Sequence, residues 1–313
     1  MEKVIKSPDL IIVGGGIAGL TAALYAGRMN LDTLVLESDL IGGQIINTHG
    51  IENYPGFASI KGSELVEKIQ QQAEYFGAVI DEFDSIERVH LTDEEKIVET
   101  TSYIYHPKAV IIATGMMRRK LTLPEVPKYT GKGIHYCELC DGHMYQNKDI
   151  AVVGGGNAGV DAANFLAKYA RKLYLINRSP NLRADLISQE KLQKNPDAQI
   201  ILNQDIVKLE GQEVLENIVL QDKTTGEQTN LPAAALFVNI GVVPNTQIFA
   251  SDIDFDADKR IVAGEDCRTN VAGVFAAGDV RTKLIRQLTT AAADGTVAAL
   301  LAEQYIQKMK EEH

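Results

Sequence analysis

The sequence predicts an α/β protein with two Rossmann-like nucleotide-binding domains, the second inserted into the first, each a three-layer stack of sheet and helix. Three observations carry this. An apolar strand running into a glycine-rich turn and a small-residue helix occurs twice, about 140 residues apart. A third apolar strand, late in the chain, ends in Gly-Asp. The length, 313 residues, exceeds what one hydrophobic core usually organises.

The first repeat opens at Leu10-Ile11-Ile12-Val13, a run that reads as a strand buried on both faces. Gly14-Gly15-Gly16-Ile17-Ala18-Gly19 follows, then a helix through about Met29. The next strand, Thr33-Leu34-Val35-Leu36, ends at Glu37. The second repeat has Ile150-Ala151-Val152-Val153, the turn Gly154-Gly155-Gly156-Asn157-Ala158-Gly159, a helix through Ala170 and the strand Leu173-Tyr174-Leu175-Ile176. Between them, Val110-Ile111-Ile112-Ala113 is a strand into the turn Thr114-Gly115. Gly273-Val274-Phe275-Ala276-Ala277-Gly278-Asp279 is the late strand, and a helix over roughly Thr289 to Met309 closes the chain. Arg118-Arg119-Lys120 with Pro124 and Pro127 marks one boundary, and Asn239 to Asn245, with glycine and proline, marks the other. The domains are therefore placed at 1–117 with 246–313, a discontinuous first domain, and at 118–245, the insertion.

Composition narrows the function. The chain is 45% hydrophobic and 23% charged, with a net charge of -11. That acidity argues against a nucleic-acid partner, whose phosphates need clustered Lys and Arg. No stretch reaches the roughly 18 apolar residues that span a bilayer. The first residues lack a signal peptide's apolar region and cleavage site, so a cytoplasmic protein is expected. Three cysteines, an odd number, fit a reducing compartment with a catalytic thiol pair better than a structural disulfide framework.

Each glycine turn suits a pyrophosphate. Gly14, Gly16 and Gly19 allow the tight turn, the close approach of backbone to phosphate, and the packing of helix on strand. The helix N-terminus adds partial positive charge. Glu37 stands where an acid accepts ribose hydroxyls. Gly154, Gly156, Asn157 and Gly159 repeat the geometry, but Asn177 replaces the acid, and Arg178 and Arg183 follow. Arginines there grip a 2′-phosphate through charge-assisted hydrogen bonds, which predicts NADPH rather than NADH.

Cys137-Glu138-Leu139-Cys140 is the chemical motif. Two thiols so spaced close a small disulfide ring, and in such motifs one thiol's pKa falls towards about 7. Asp141, next in the chain, is placed to carry protons as electrons move. His135 and His143 raise a zinc alternative, but their spacing around the cysteines is tighter than the usual ligand pairs, and no metal is expected. Cys267 reads as a structural, buried thiol.

With both glycine turns and the Cys-x-x-Cys-Asp-Gly motif in hand, the chain resembles the low-molecular-weight thioredoxin reductases over nearly its whole length. Gly42-Gly43-Gln44 resembles that family's flavin-side Gly-Gly-Gln, and Glu52-Asn53-Tyr54-Pro55-Gly56 its Glu-Asn-Trp/Tyr-Pro-Gly. Ala113-Thr114-Gly115 resembles the turn into its second domain; Gly278-Asp279 and Arg286-Gln287 resemble the residues that hold the flavin. The resemblance implies FAD on the first domain, NADPH on the second, and a homodimer. It also implies that Cys140 faces the flavin, Cys137 attacks the partner's disulfide, and Asp141 is the general acid/base. Two departures stand out. The family's His-Arg-Arg is Asn177-Arg178-Ser179 here, one arginine fewer, a loss that weakens NADPH binding roughly ten- to hundredfold. Glu138 also sets a negative charge between the thiols, which disfavours thiolate.

The expected route is NADPH to FAD, to the Cys137–Cys140 disulfide, to a protein disulfide such as that of thioredoxin. Thiol pair and nucleotide turn share the inserted domain yet serve one flavin, so that domain is expected to rotate about 115–121 and 241–246. Rival readings are a ferredoxin-dependent or NADH-preferring flavin thioredoxin reductase, a hydroperoxide-system reductase subunit, a small-molecule dithiol oxidase, and a non-catalytic flavin redox sensor.

Overall fold

A computed structural model describes residues 3–46, 48 and 50–311. The chain divides into two compact units, Met1–Met117 with Pro244–His313, and Arg118–Val243.

In the discontinuous unit the core is a five-stranded parallel sheet. Its order is Val274–Ala276, Ala109–Ile112, Leu10–Val13, Thr33–Glu37, Val79–Glu82. The strands read as unbroken apolar runs because both faces are covered. Leu10, Ile12, Val35 and Ile111 face helices Ile17–Arg28 and Leu288–Glu311, with Ala22, Ala26, Ala298 and Ala302 in the same cluster. Ile11, Val13, Leu36 and Ile112 face a second sheet, through Val89, Leu91, Val98 and Tyr105. That second sheet runs Val4–Lys6, Tyr103–Tyr105, Lys96–Thr100, Ile86–Leu91. Helix, parallel sheet and small sheet make three layers. The two helices touch backbone to backbone: a Cβ on Gly295 would sit 2.2 Å from the Ala18 carbonyl oxygen.

That close approach sets Asp294 beneath the Gly278 turn. Asp294 accepts from Arg281 at 2.9 and 2.8 Å, from Lys283 at 2.7 Å and from the Gly278 N–H at 2.9 Å. Burial pushes the Asp294 carboxyl up, but the Arg281 and Lys283 hydrogen bonds outweigh it and hold the group below the usual carboxylate range. A carboxylate so depressed adds stability that is complete above its unfolded value and is lost as pH falls through the folded one. Asp294→Ala strands Arg281, which is 2% exposed, and costs about 3–5 kcal/mol. Denaturant unfolding of flavin-free protein checks both points. Wild type loses stability on acidification below about pH 4, and the variant, already weakened, lacks that component.

The Arg118–Val243 unit repeats the plan. Its parallel sheet runs Ile134–His135, Ala235–Val238, Asp149–Val153, Lys172–Ile176, Ala198–Ile201. Ile150, Val152, Leu173 and Phe237 pack on helix Asn157–Leu166. Ala151, Val153, Ile176 and Val238 pack on a three-stranded antiparallel sheet, Gln204–Glu210, Asn217–Asp222 and Gln228–Pro232. Both units are thus Rossmann-like, as the sequence predicts. No described helix is long and apolar enough to cross a membrane.

Candidate functional site

The first glycine turn is built from backbone. A Cβ on Gly19 would lie 1.9 Å from the Gly14 carbonyl oxygen, and one on Gly14 would lie 2.5 Å from that of Ala113. At Gly16 a Cβ would meet nothing within 4 Å. The turn is therefore packed tight on its protein side and open at Gly16. Helix Ile17–Arg28 starts there with no capping side chain and no acid in its first turn, so its first N–H groups stay available to an anion. Glu37 accepts the Gly15 N–H at 2.8 Å and the Asp39 N–H at 3.0 Å. Each oxygen keeps a lone pair for a ribose hydroxyl.

The other residues expected on the flavin side fall in the same unit. Asn53 donates to Gln287 at 3.2 Å. Gln44 donates to the Met116 carbonyl at 3.0 Å, and Thr114 to that of Asn245 at 2.6 Å. Gly43 and Gly115 hold positive φ, 58° and 60°. Past the Gly278 turn, Asp279 Oδ1 and Arg286 Nε are buried with no hydrogen-bond partner. Burial pushes the Asp279 carboxyl up, despite Lys283 and Arg286. Orphaned groups of this kind call for a partner, and the donors and acceptors of a hydroxylated, phosphorylated ligand would fit them.

The second turn copies the first. A Cβ on Gly159 would be 2.1 Å from the Gly154 carbonyl oxygen, while Gly156 faces open space. The helix Asn157–Leu166 again lacks a cap. Asn157 Oδ1 accepts from the Asp185 N–H at 2.9 Å, and the Arg183 N–H donates to the Gly155 carbonyl at 2.7 Å. These two bonds tie the loop bearing the exposed Arg178 and Arg183 to the turn. Asn177 is buried, its amide donating to the Ser179 and Asn181 carbonyls. It shapes the loop instead of offering a carboxylate to a ribose. Asn239, read from sequence only as a boundary, has a buried Nδ2 without a partner, and a Cβ on Gly154 would lie 2.0 Å from its carbonyl oxygen.

Cys137 and Cys140 are joined as a disulfide with Cα atoms 5.3 Å apart. Cys137 caps the short helix Glu138–Asp141, its Sγ accepting the Cys140 N–H at 3.2 Å. Gly142 lets this segment lie on helix Asn157–Leu166; a Cβ there would meet Leu166 Cδ2 at 2.6 Å. The redox turn and the nucleotide turn thus share one helix. Glu138 Oε2 lies 3.5 Å from Arg118 Nη1, an ion pair without a hydrogen bond, and Arg118 donates to the Tyr136 carbonyl instead. Asp141 pairs with His135 at 2.9 Å. Neither pairing was legible, since 118 and 138 lie in different elements, and His135 carries only the signal of a histidine near cysteines. Cys267 is buried, and burial pushes its thiol up to about 12, which keeps it protonated and inert.

A family model described as pyridine nucleotide-disulphide oxidoreductase matches residues 8–295. The "34.2 kDa protein in rubredoxin operon" of Clostridium pasteurianum is 50% identical over 301 residues, 96% of this chain and 98% of the relative. A thioredoxin reductase of Peptoclostridium acidaminophilum is 40% identical over 311 residues, covering 97% and 98%. Among solved structures, thioredoxin reductase from Lactococcus lactis aligns with a TM-score of 0.87 and 33% identity, covering 96% of this chain and 99% of that one.

Proposed function

Because the chain belongs to the pyridine nucleotide-disulphide oxidoreductase family, we propose that it is a thioredoxin-disulfide reductase that takes electrons from NADPH through FAD. The observation that carries this is the Cys137–Cys140 disulfide, packed on the very helix that opens at the second glycine turn. Relatives named thioredoxin reductase align with 96–97% of the chain.

Bound flavin supplies two-electron transfer between a nicotinamide and a disulfide. The chain's own residues do the rest. Gly14, Gly16 and the first turn of helix Ile17–Arg28 would hold the flavin's pyrophosphate, Glu37 a ribose, and Asp279 and Arg286 the polar groups that satisfy their buried atoms. Asn53, Thr114 and Gln287 line the same unit. Gly154, Gly156 and Asn157 would take the nucleotide's pyrophosphate. Cys137 and Cys140 receive the electron pair as their S–S bond opens, and Asp141 moves protons to and from the thiols. The dithiol then reduces thioredoxin. The reading includes a homodimer, which the family resemblance implies. It also includes rotation of the Arg118–Val243 unit, because disulfide and nucleotide turn must serve one flavin in turn. A covalent link between the units that left turnover untouched would count against that motion.

Donor choice rests on the absence of an acid at 177 and on Arg178 and Arg183. Reduction of DTNB and of thioredoxin, with NADPH against NADH, tests it. Arg183→Ala is expected to raise KM for NADPH roughly ten- to hundredfold and leave KM for NADH unchanged. If NADH is the better donor for wild type, or if only reduced ferredoxin drives turnover, the NADPH assignment is wrong.

A further inference from the structure

A carboxylate that carries protons must be held in place, and its surroundings show by what. His135 is 4% exposed. Its Nδ1 lies 2.9 Å from Asp141 Oδ2, and its Nε2 lies 2.7 Å from the Tyr145 hydroxyl. The ring stacks on Phe237 with centroids 5.4 Å apart, and Tyr145 meets it edge-on. Asp141 has only acceptor oxygens when ionised, so Nδ1–H is the donor to it, and Nε2 shares the second hydrogen bond with the Tyr145 hydroxyl.

Three elements converge to make this chain. The strand Ile134–His135 places the imidazole, the helix Glu138–Asp141 places the carboxylate, and the 3-10 turn Gly142–Tyr145 places the phenol. The strand Ala235–Val238 adds the carbon face of Phe237. Among the described residues, Asp141 and Tyr145 are the titratable groups in hydrogen-bond contact with His135. Burial, and after it the Asp141 charge, push the Tyr145 hydroxyl up, which keeps it protonated.

Resting on the reading of Asp141 as proton carrier, the geometry points to His135 as the positioning residue for that carboxylate, with Tyr145 and Phe237 fixing the ring. His135 ties Oδ2 and leaves Oδ1 to exchange protons. Opening the S–S bond takes the electron pair carried from the nucleotide through the flavin, plus two protons, and yields two thiols. Of the two protons, one balances the hydride that the nucleotide gives up and the other comes from solvent, and Asp141 passes protons at Oδ1. His135 acts through Asp141 and does not touch the reacting sulfurs.

The test uses the flavin-loaded protein in stopped flow, separating the nucleotide half-reaction from the disulfide half-reaction, with steady-state DTNB turnover alongside. His135→Phe keeps a stacked ring and removes both hydrogen bonds. His135→Asn restores an N–H close to the position of Nδ1. Tyr145→Phe removes only the rear contact, and Asp141→Asn is the benchmark. Asp141→Asn should slow the disulfide half-reaction about a hundredfold. His135→Phe should slow it about tenfold and leave the nucleotide half-reaction and KM for NADPH within about twofold. His135→Asn should recover most of that loss, and Tyr145→Phe should lose about threefold, confined to the same step.

A wild-type disulfide step in His135→Phe, with Asp141→Asn slow, overturns the positioning role and leaves that of Asp141 standing. Asp141→Asn as fast as wild type removes the reading beneath, and the inference with it. A loss in His135→Phe that His135→Asn does not recover, or that both half-reactions share, marks a merely structural role and also overturns it. Should His135→Phe fail to fold, Tyr145→Phe decides: a loss confined to the disulfide step supports the role, and no loss overturns it.

Discussion

Cys140→Ser and Cys137→Ser each lose protein-disulfide turnover by at least about a thousandfold, while the yellow colour and its bleaching by nucleotide survive. The two sulfurs form the disulfide that accepts the electron pair. A serine in either place cannot form that bond, and its hydroxyl is not ionised at neutral pH, so it offers no nucleophile. The residues proposed to hold the flavin belong to the other unit, so flavin binding is expected to survive. Cys267→Ser is the control. Its thiol is buried and held protonated, and its loss changes stability rather than turnover. Spectra of the purified variants, followed by DTNB and thioredoxin assays, settle the matter. Full turnover in either single variant would remove the disulfide from the electron route.

Gly16→Val and Gly19→Val separate binding from folding. At Gly16 the backbone φ is -75°, a conformation any residue adopts, and a Cβ meets nothing within 4 Å. The variant should fold as well as wild type. Its isopropyl group, however, fills the space that the open helix N-terminus presents to a phosphate. Several charge-assisted hydrogen bonds, each contributing about 1.5–3 kcal/mol, are blocked together. Flavin affinity is expected to fall at least about a hundredfold, and the protein to purify colourless with an unchanged apo-protein melting temperature. Gly19→Val should instead fail to fold, because its Cβ would stand 1.9 Å from a carbonyl oxygen. Gly156→Val repeats the first experiment on the nucleotide side, leaving the protein yellow but poorly reduced by NADPH. A Gly16→Val protein that kept its colour would place the flavin elsewhere.

The parts of the fold that were legible in sequence are those whose signal is local. An apolar run, a glycine turn and a small-residue helix lie next to one another in the chain, so both parallel sheets could be read from Leu10 and Ile150 onwards. The small sheets that cover their other faces could not. Ile86–Leu91 and Gln204–Glu210 each carry a register shift, between Ile86 and Arg88 and between Ile206 and Lys208, and a bulge breaks the alternation that marks a half-buried strand. The same limit applies to the site. Cys137, Cys140 and Asp141 announce themselves by spacing. The partners of the segment do not: Arg118 meets Glu138, and His135 meets Asp141 and Tyr145, only after the sheet has formed. Asp294 gave no signal at all, because its role depends on two helices touching at Gly295.

Synthesis on the ribosome meets an asymmetry in this architecture. The Arg118–Val243 unit is one unbroken stretch and holds everything its own sheet needs once it has emerged. The surrounding unit does not. Its edge strand, Val274–Ala276, and the long helix that covers Ile17–Arg28 arrive last. Until they do, Ala109–Ile112 has an unpaired flank and a row of alanines lies bare, which is the kind of surface chaperones hold. A nascent chain whose first 243 residues have cleared the ribosome would therefore carry a finished Arg118–Val243 unit on an unfinished outer unit.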